Sequence, residues 1–281
     1  MVKKQQWLVV TVGFALFLGL YFFGRTKPAP KSPAQQVQSA QPEQLDFESI
    51  LASAKSHLSP QQQSKLTALE NSVVRGDVVA QKIKLYDQLA NFWKDSAHAF
   101  GPFAYYLGEK AKLENSEKSL TFAAHLYLAR LKAVDQQPVQ VWMANQAKEL
   151  FEKALVINPQ NDSSKVGLGS CFIFGASGAS SPMEGILRIL EVANRDSSNM
   201  YAQFMLGYGG ILTNQYDKAI GRLIRVVKAE PENSEAIFLL AEAYEREGDK
   251  KNAAIWYEAG KKFVGNPDAI KEIDERIKSL K

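Results

Sequence analysis

From residue 45 to the C-terminus, apolar side chains return every three or four positions, and turn residues interrupt them every dozen or so. That is the spacing of helices burying one stripe each, and no stretch alternates with period two as a half-buried strand would. An all-α domain follows. Helix starts are marked at Ser59-Pro60, Gly101-Pro102, Ser116 with Ser119, Ser181-Pro182 and Asn233-Ser234, where a short polar side chain caps free N–H groups or Pro fits the first turn.

The N-terminal end follows a different pattern. Residues 7–23, WLVVTVGFALFLGLYFF, carry no charge. At ~1.5 Å per residue these seventeen positions reach ~26 Å, close to the thickness of a hydrocarbon core. Lys3 and Lys4 also suit a secretory signal peptide, but the run exceeds the usual ~7 to 15 apolar residues and no small-x-small site follows it. Residues 1–25 are therefore expected to be an uncleaved signal-anchor helix, with Trp7 at one interface and Tyr21 to Phe23 at the other. Basic residues flank both sides, so charge alone leaves the orientation open; a short N-terminal tail favours export of the C-terminal bulk. Ala15 and Gly19 form one small-xxx-small pair, also common by chance. Residues 26–44 then supply four prolines and five glutamines with almost no large apolar side chain, a semi-extended spacer unable to bury a core.

The domain repeats itself. Leu206-Gly207, Ala219, Leu223 and Pro231 return thirty-four residues later as Leu240-Ala241, Ala253, Tyr257 and Gly265, with Pro267 close by. Ala147, Phe151, Ala154 and Pro159 form the second half of an earlier unit. The steps Ala147 to Leu168, Gly185 to Leu206 and Ala219 to Leu240 are all twenty-one residues. One unit carries four extra residues, in the loop GASGASSPMEG.

On these residues the chain resembles the tetratricopeptide repeat family, in which small residues at the eighth and twentieth positions let two antiparallel helices approach closely. The resemblance implies a right-handed α-solenoid of helix hairpins. Its parts would be an irregular helical segment 45–115, repeats at about 116–161, 162–199, 200–233 and 234–267, and a charged amphipathic capping helix 268–281. It is closest over 162–267, confined to the second helix over 116–161, and faint over 45–115. Gly210 departs from the aromatic of the eleventh position, and Asp196-Ser197 from the terminal Pro. With its N-terminal anchor the whole chain resembles membrane-anchored envelope proteins of this family in bacteria, mostly non-catalytic scaffolds.

Charge and chemistry narrow the picture further. The net charge of +4 comes from Lys3, Lys4, Arg25, Lys27 and Lys31 against Glu43, leaving the domain electrically balanced. A nucleic-acid partner would demand a basic stripe, so none is expected. A single cysteine excludes a disulfide framework and a thiolate metal site. His57, His98 and His125 stand far apart with no ligand at a spacing of three or four, and read as surface or packing histidines. Cys171 sits among apolar neighbours, and the glycines of VGLGSC and LGYGG lie inside helices without a Walker lysine. No catalysis, metal or cofactor is expected.

Partners of this family usually lie in the concave face made by the first helices. Carried over, its positions are Val166, Ser170, Ile173 and Phe174, then Tyr201, Phe204, Tyr208 and Ile211, then Phe238, Glu242, Glu245 and Arg246. The family's carboxylate clamp is missing, since Val166, Phe204 and Phe238 replace its lysine. Two readings stay open: Tyr201, Phe204, Tyr208 and Phe238 anchor a protein or peptide partner, or they pack internally. The loop with Gly175, Ser177, Gly178, Ser180 and Ser181 is a connection or a second contact. Homo-oligomerisation is not indicated. The expected role is an adaptor in the inner membrane with a periplasmic domain. The rival reading is an envelope enzyme or small-ligand protein with a pocket in helices 45–115, around Trp93, His98, Tyr105 and Tyr106.

Overall fold

The computed structural model describes residues 45–73, 78–131, 133–175 and 182–281. The expected anchor and spacer, residues 1–44, lie outside the described residues, as do 176–181 of the extended loop. Among the described residues no helix is long and apolar enough to cross a membrane.

Thirteen helices and no strand make up the described chain. The first four are α1 (Phe47–Ser56), α2 (Pro60–Val73), α3 (Val79–Asn91) and α4 (Phe100–Glu114), with a π-helical turn at Phe92–Ser96 between the last two. Four hairpins follow: α5 (Glu117–Leu131) with α6 (Gln137–Ile157), α7 (Asp162–Ile173) with α8 (Pro182–Arg195), α9 (Met200–Leu212) with α10 (Tyr216–Ala229), and α11 (Ser234–Glu247) with α12 (Lys250–Lys261). Helix α13 (Pro267–Ser279) closes the stack.

The helices start where short polar side chains satisfy the free amides of the first turn. Asn161, Asn199 and Asn233 cap the first helices α7, α9 and α11, accepting from Ser164, Ala202 and Ala236 N–H at 2.8, 2.9 and 3.0 Å. Of these caps the sequence alone marks only the third. Ser59 and Gln62 form a reciprocal capping box at α2. Helix α4 begins earlier than Gly101-Pro102 suggests, at Phe100 after Ala99, with no side-chain cap.

Within each hairpin the two helices pack closely, and each first helix also touches the first helix of the next hairpin. One contiguous core runs from α4 to α7 and a second from α7 to α11, while Trp93, Leu89 and Phe92 centre a third beneath α1 to α4. Helix α7 belongs to both of the first two and is buried without interruption from Val166 to Ile173. The close approach of α7 and α8 depends on glycine, because a Cβ on Gly185 would stand 2.2 Å from the Gly169 carbonyl oxygen.

Side-chain networks lock the order of the hairpins. The Glu117 carboxylate accepts from Thr121 and from the Asn161 amide, and the Thr121 hydroxyl bonds the buried Ser164 hydroxyl at 2.8 Å, joining the starts of α5 and α7. Gln203, fully buried on α9, donates to the Ser197 carbonyl and accepts from Arg222 of α10 at 2.8 Å.

Candidate functional site

Three first helices, α5, α7 and α9, enclose a cleft of about 230 Å³. His125, Leu128 and Ala129 come from α5, Ser170 from α7 and Phe174 from the residue that caps its C-terminus, and Tyr201 and Met205 from α9. The cleft exists because α5 and α9 reach each other across α7: the His125 and Tyr201 rings stand 5.7 Å apart, and the other side of His125 meets Phe151 of α6 at 5.0 Å. His125 Nε2 is 2.8 Å from the Ser163 hydroxyl in the first turn of α7, so four helices hold one imidazole.

The cleft is mostly apolar and carries no formal charge in its wall. Burial holds the His125 imidazole below its ordinary pKa of 6.5, favouring the neutral ring. Burial pushes the Tyr201 phenol up to about 12. Ser170 itself donates to the Val166 carbonyl at 2.8 Å, one helical turn back. Beyond Phe174 the wall continues into Tyr208, whose ring lies 5.3 Å away. The Tyr208 phenol is also raised, first by burial and then by Glu235 and Glu242 of α11, so the surface changes from apolar to acidic along the stack.

The expected groove residues separate into two groups. Tyr201 lines the cleft and Tyr208 stands half-buried beside it. Phe204 and Ile211 are buried, 7% and 9% exposed, and point into the solenoid. Phe238 lies over Gly260 of α12, where a Cβ would come within 2.7 Å of its ring, and it also packs against Tyr257. Glu245 accepts from the Tyr257 hydroxyl at 2.9 Å and from Arg276 of α13 at 3.0 Å, so it holds the capping helix. Glu242 and Arg246 form a pair at 3.3 Å one turn apart on α11. Phe204 and Phe238 pack against neighbouring helices, as do Ile211 and Glu245: a repeat position fixes the face of a helix, and the neighbouring helix then decides what stays open. In the possible contact loop Gly175 adopts φ +88°, and Ser177, Gly178, Ser180 and Ser181 lie outside the described residues.

The residues of the rival N-terminal pocket are occupied with packing. Trp93 is fully buried and Tyr106 8% exposed; Tyr105 stacks on Phe47 at 3.4 Å, and His98 is exposed in a left-handed conformation. Among the described residues no group of three His, Cys, Asp or Glu is placed to hold a metal. Cys171 is fully buried, and burial pushes its thiol far above the ordinary value, which removes the thiolate that nucleophilic chemistry needs.

Sequence reasoning missed His125, Leu128, Ala129 and Met205. A signal for the first of them exists: Ser116 and Asn161 begin equivalent helices forty-five residues apart, and His125 precedes Ser170 by the same interval. Treating the two caps as equivalent puts His125 at the concave position that Ser170 fills one hairpin later.

The fold and this cleft define a stack of helical hairpins with a concave face built from first helices. A tetratricopeptide repeat family model matches residues 213–267, the segment from just after α9 to the first residue of α13. A thermophilic tetratricopeptide protein of Thermus thermophilus is 15% identical with a TM-score of 0.50, covering 72% of this chain and 98% of that one. That likeness is one of fold. The solved structures also include MamA from residue 41 onward of Desulfovibrio magneticus RS-1, with 19% identity, TM-score 0.44 and coverage of 71% and 97%. YrrB, described as a tetratricopeptide protein with an unusual peptide-binding site, has 14% identity, TM-score 0.44 and coverage of 74% and 98%. No curated protein sequence matches the chain. Residues 213–267 thus match the tetratricopeptide repeat model, and the described residues as a whole share the helical-hairpin fold.

Proposed function

We propose that the protein is a non-catalytic adaptor that holds a protein or peptide partner in the concave face of its repeats, with residues 1–25 anchoring it in the inner membrane and the repeat domain in the periplasm. The observation that carries the binding role is the cleft where concave positions of α5, α7 and α9 converge. A mostly apolar recess with few polar groups is the usual form of an anchor site, and central buried anchors dominate interface energies. The anchoring role rests on the uncharged run of residues 7–23.

Replacing Ala129, which is exposed at the cleft, with a photo-crosslinking residue tests the binding role in cells, with Val156, 83% exposed at the end of α6, as the control position. A discrete adduct from 129 and none from 156 is expected. Identical adducts from both positions, or none from either, would remove the groove as the binding face. A compartment-sensitive reporter fused after Lys281 tests the topology; a cytosolic signal would overturn the periplasmic placement.

A further inference from the structure

Resting on the reading of this face as a peptide groove, we infer that its occupant is a chain carrying an uncharged apolar side chain in the cleft and a lysine or arginine about five to six residues along. The cleft volume sets the first element. About 230 Å³ is below the ~300 to 1,000 Å³ usual for small-molecule sites, while a cavity of ~150 Å³ already admits a benzene ring. One aromatic or branched aliphatic side chain fills it.

The wall excludes a charged anchor. Its titratable groups are His125 and Tyr201, both held toward their uncharged forms by burial, so an ion entering the cleft would lose its water without gaining an opposite charge. Leu128, Phe174 and Met205 supply apolar contact on all three helices.

The second element comes from the continuation of the same wall. From Phe174 the surface passes to Tyr208 at 5.3 Å, and Tyr208 feels the carboxylates of Glu235 and Glu242 on the next first helix. Neighbouring helices stand ~8 to 10 Å apart, two such steps lead from α7 to α11, and an extended chain advances ~3.3 Å per residue, which sets the spacing at about five to six residues. Arg246 pairs with Glu242 on the exposed side at 3.3 Å, with side-chain exposures of 59% and 37%. A partner cation competes with such an exposed helical pair at little cost. Glu245 is already committed to Tyr257 and Arg276.

The test is a selection of random decapeptides displayed on phage against the full-length chain, followed by anisotropy titration of labelled winners. Selected sequences are expected to share a Leu, Ile, Phe or Trp followed or preceded at about five to six residues by Lys or Arg. Changing that basic residue to Glu should weaken binding about tenfold, and Glu242→Lys in the protein should restore the changed peptide. Ala129→Phe, which obstructs the mouth of the cleft, should weaken every winner. Winners that share an apolar anchor but are indifferent to the Lys-to-Glu change would overturn the charge element and leave the groove standing. Winners insensitive to Ala129→Phe, or a selection that enriches nothing, would overturn both the inference and the groove on which it rests.

Discussion

The crossing of α7 and α8 gives a test in which one chemical change acts in opposite directions at two sites. Gly185 and Gly221 are both glycines inside second helices, and replacing either with Ala should contribute ~0.5 to 1 kcal/mol through helix propensity and reduced freedom of the unfolded chain. At Gly221 nothing lies within 4 Å of the added Cβ, so the full gain should appear. At Gly185 the Cβ would meet the Gly169 carbonyl oxygen at 2.2 Å and the Ile173 backbone nitrogen at 3.1 Å. Ordinary contact begins near 3.4 Å, so the helices must separate by about 1 Å, and no rotamer relieves a collision with backbone. Overpacking of this kind costs ~1 to 3 kcal/mol, and the rigidity of both partners puts this site at the upper end. The net expectation is a loss of about 2 kcal/mol for Gly185→Ala and a gain of up to about 1 kcal/mol for Gly221→Ala. Urea unfolding followed by far-ultraviolet circular dichroism measures both, provided the slopes match. A Gly185→Ala protein as stable as the Gly221→Ala protein would refute the argument that backbone proximity sets the crossing.

Three further outcomes follow from the networks. Gln203→Leu should cost about 1 kcal/mol, because it removes the bonds that the buried Gln203 amide makes to the Ser197 carbonyl and to the half-buried Arg222 guanidinium, and unfolding midpoints read the loss. His125 has a folded-state pKa below 6.5, so the unfolded chain binds its proton first: stability should fall as pH drops through 6.5 and continue falling toward the lower folded value. That contribution should vanish in His125→Gln; equal pH dependence in the two proteins from pH 7.5 to 5 would refute the neutral half-buried imidazole. Glu245→Ala should release α13 while sparing the other hairpins, seen as faster amide exchange confined to Pro267–Ser279; unchanged protection there would show that the Arg276 and Tyr257 contacts do not hold the cap.

The sequence by itself determined that the domain is helical and repetitive. Side-chain periodicity and caps act within a few residues, so Asn233 before Ser234, or Ala219 and Ala253 thirty-four residues apart, announce a helix and a hairpin without tertiary knowledge. The same local logic describes α9, where Tyr201, Phe204, Tyr208 and Ile211 share repeat positions of the concave face. It does not say which of the four remain accessible. That depends on how far α5 and α9 close over α7, and on whether glycine at 260 leaves room for Phe238 to turn inward. His125 is the clearest case: its own helix lacks the repeat signature, and its neighbours Phe151, Ser163 and Tyr201 lie on three other helices. The cleft was thus decided by tertiary packing, because it is a space between helices and no single helix encodes it.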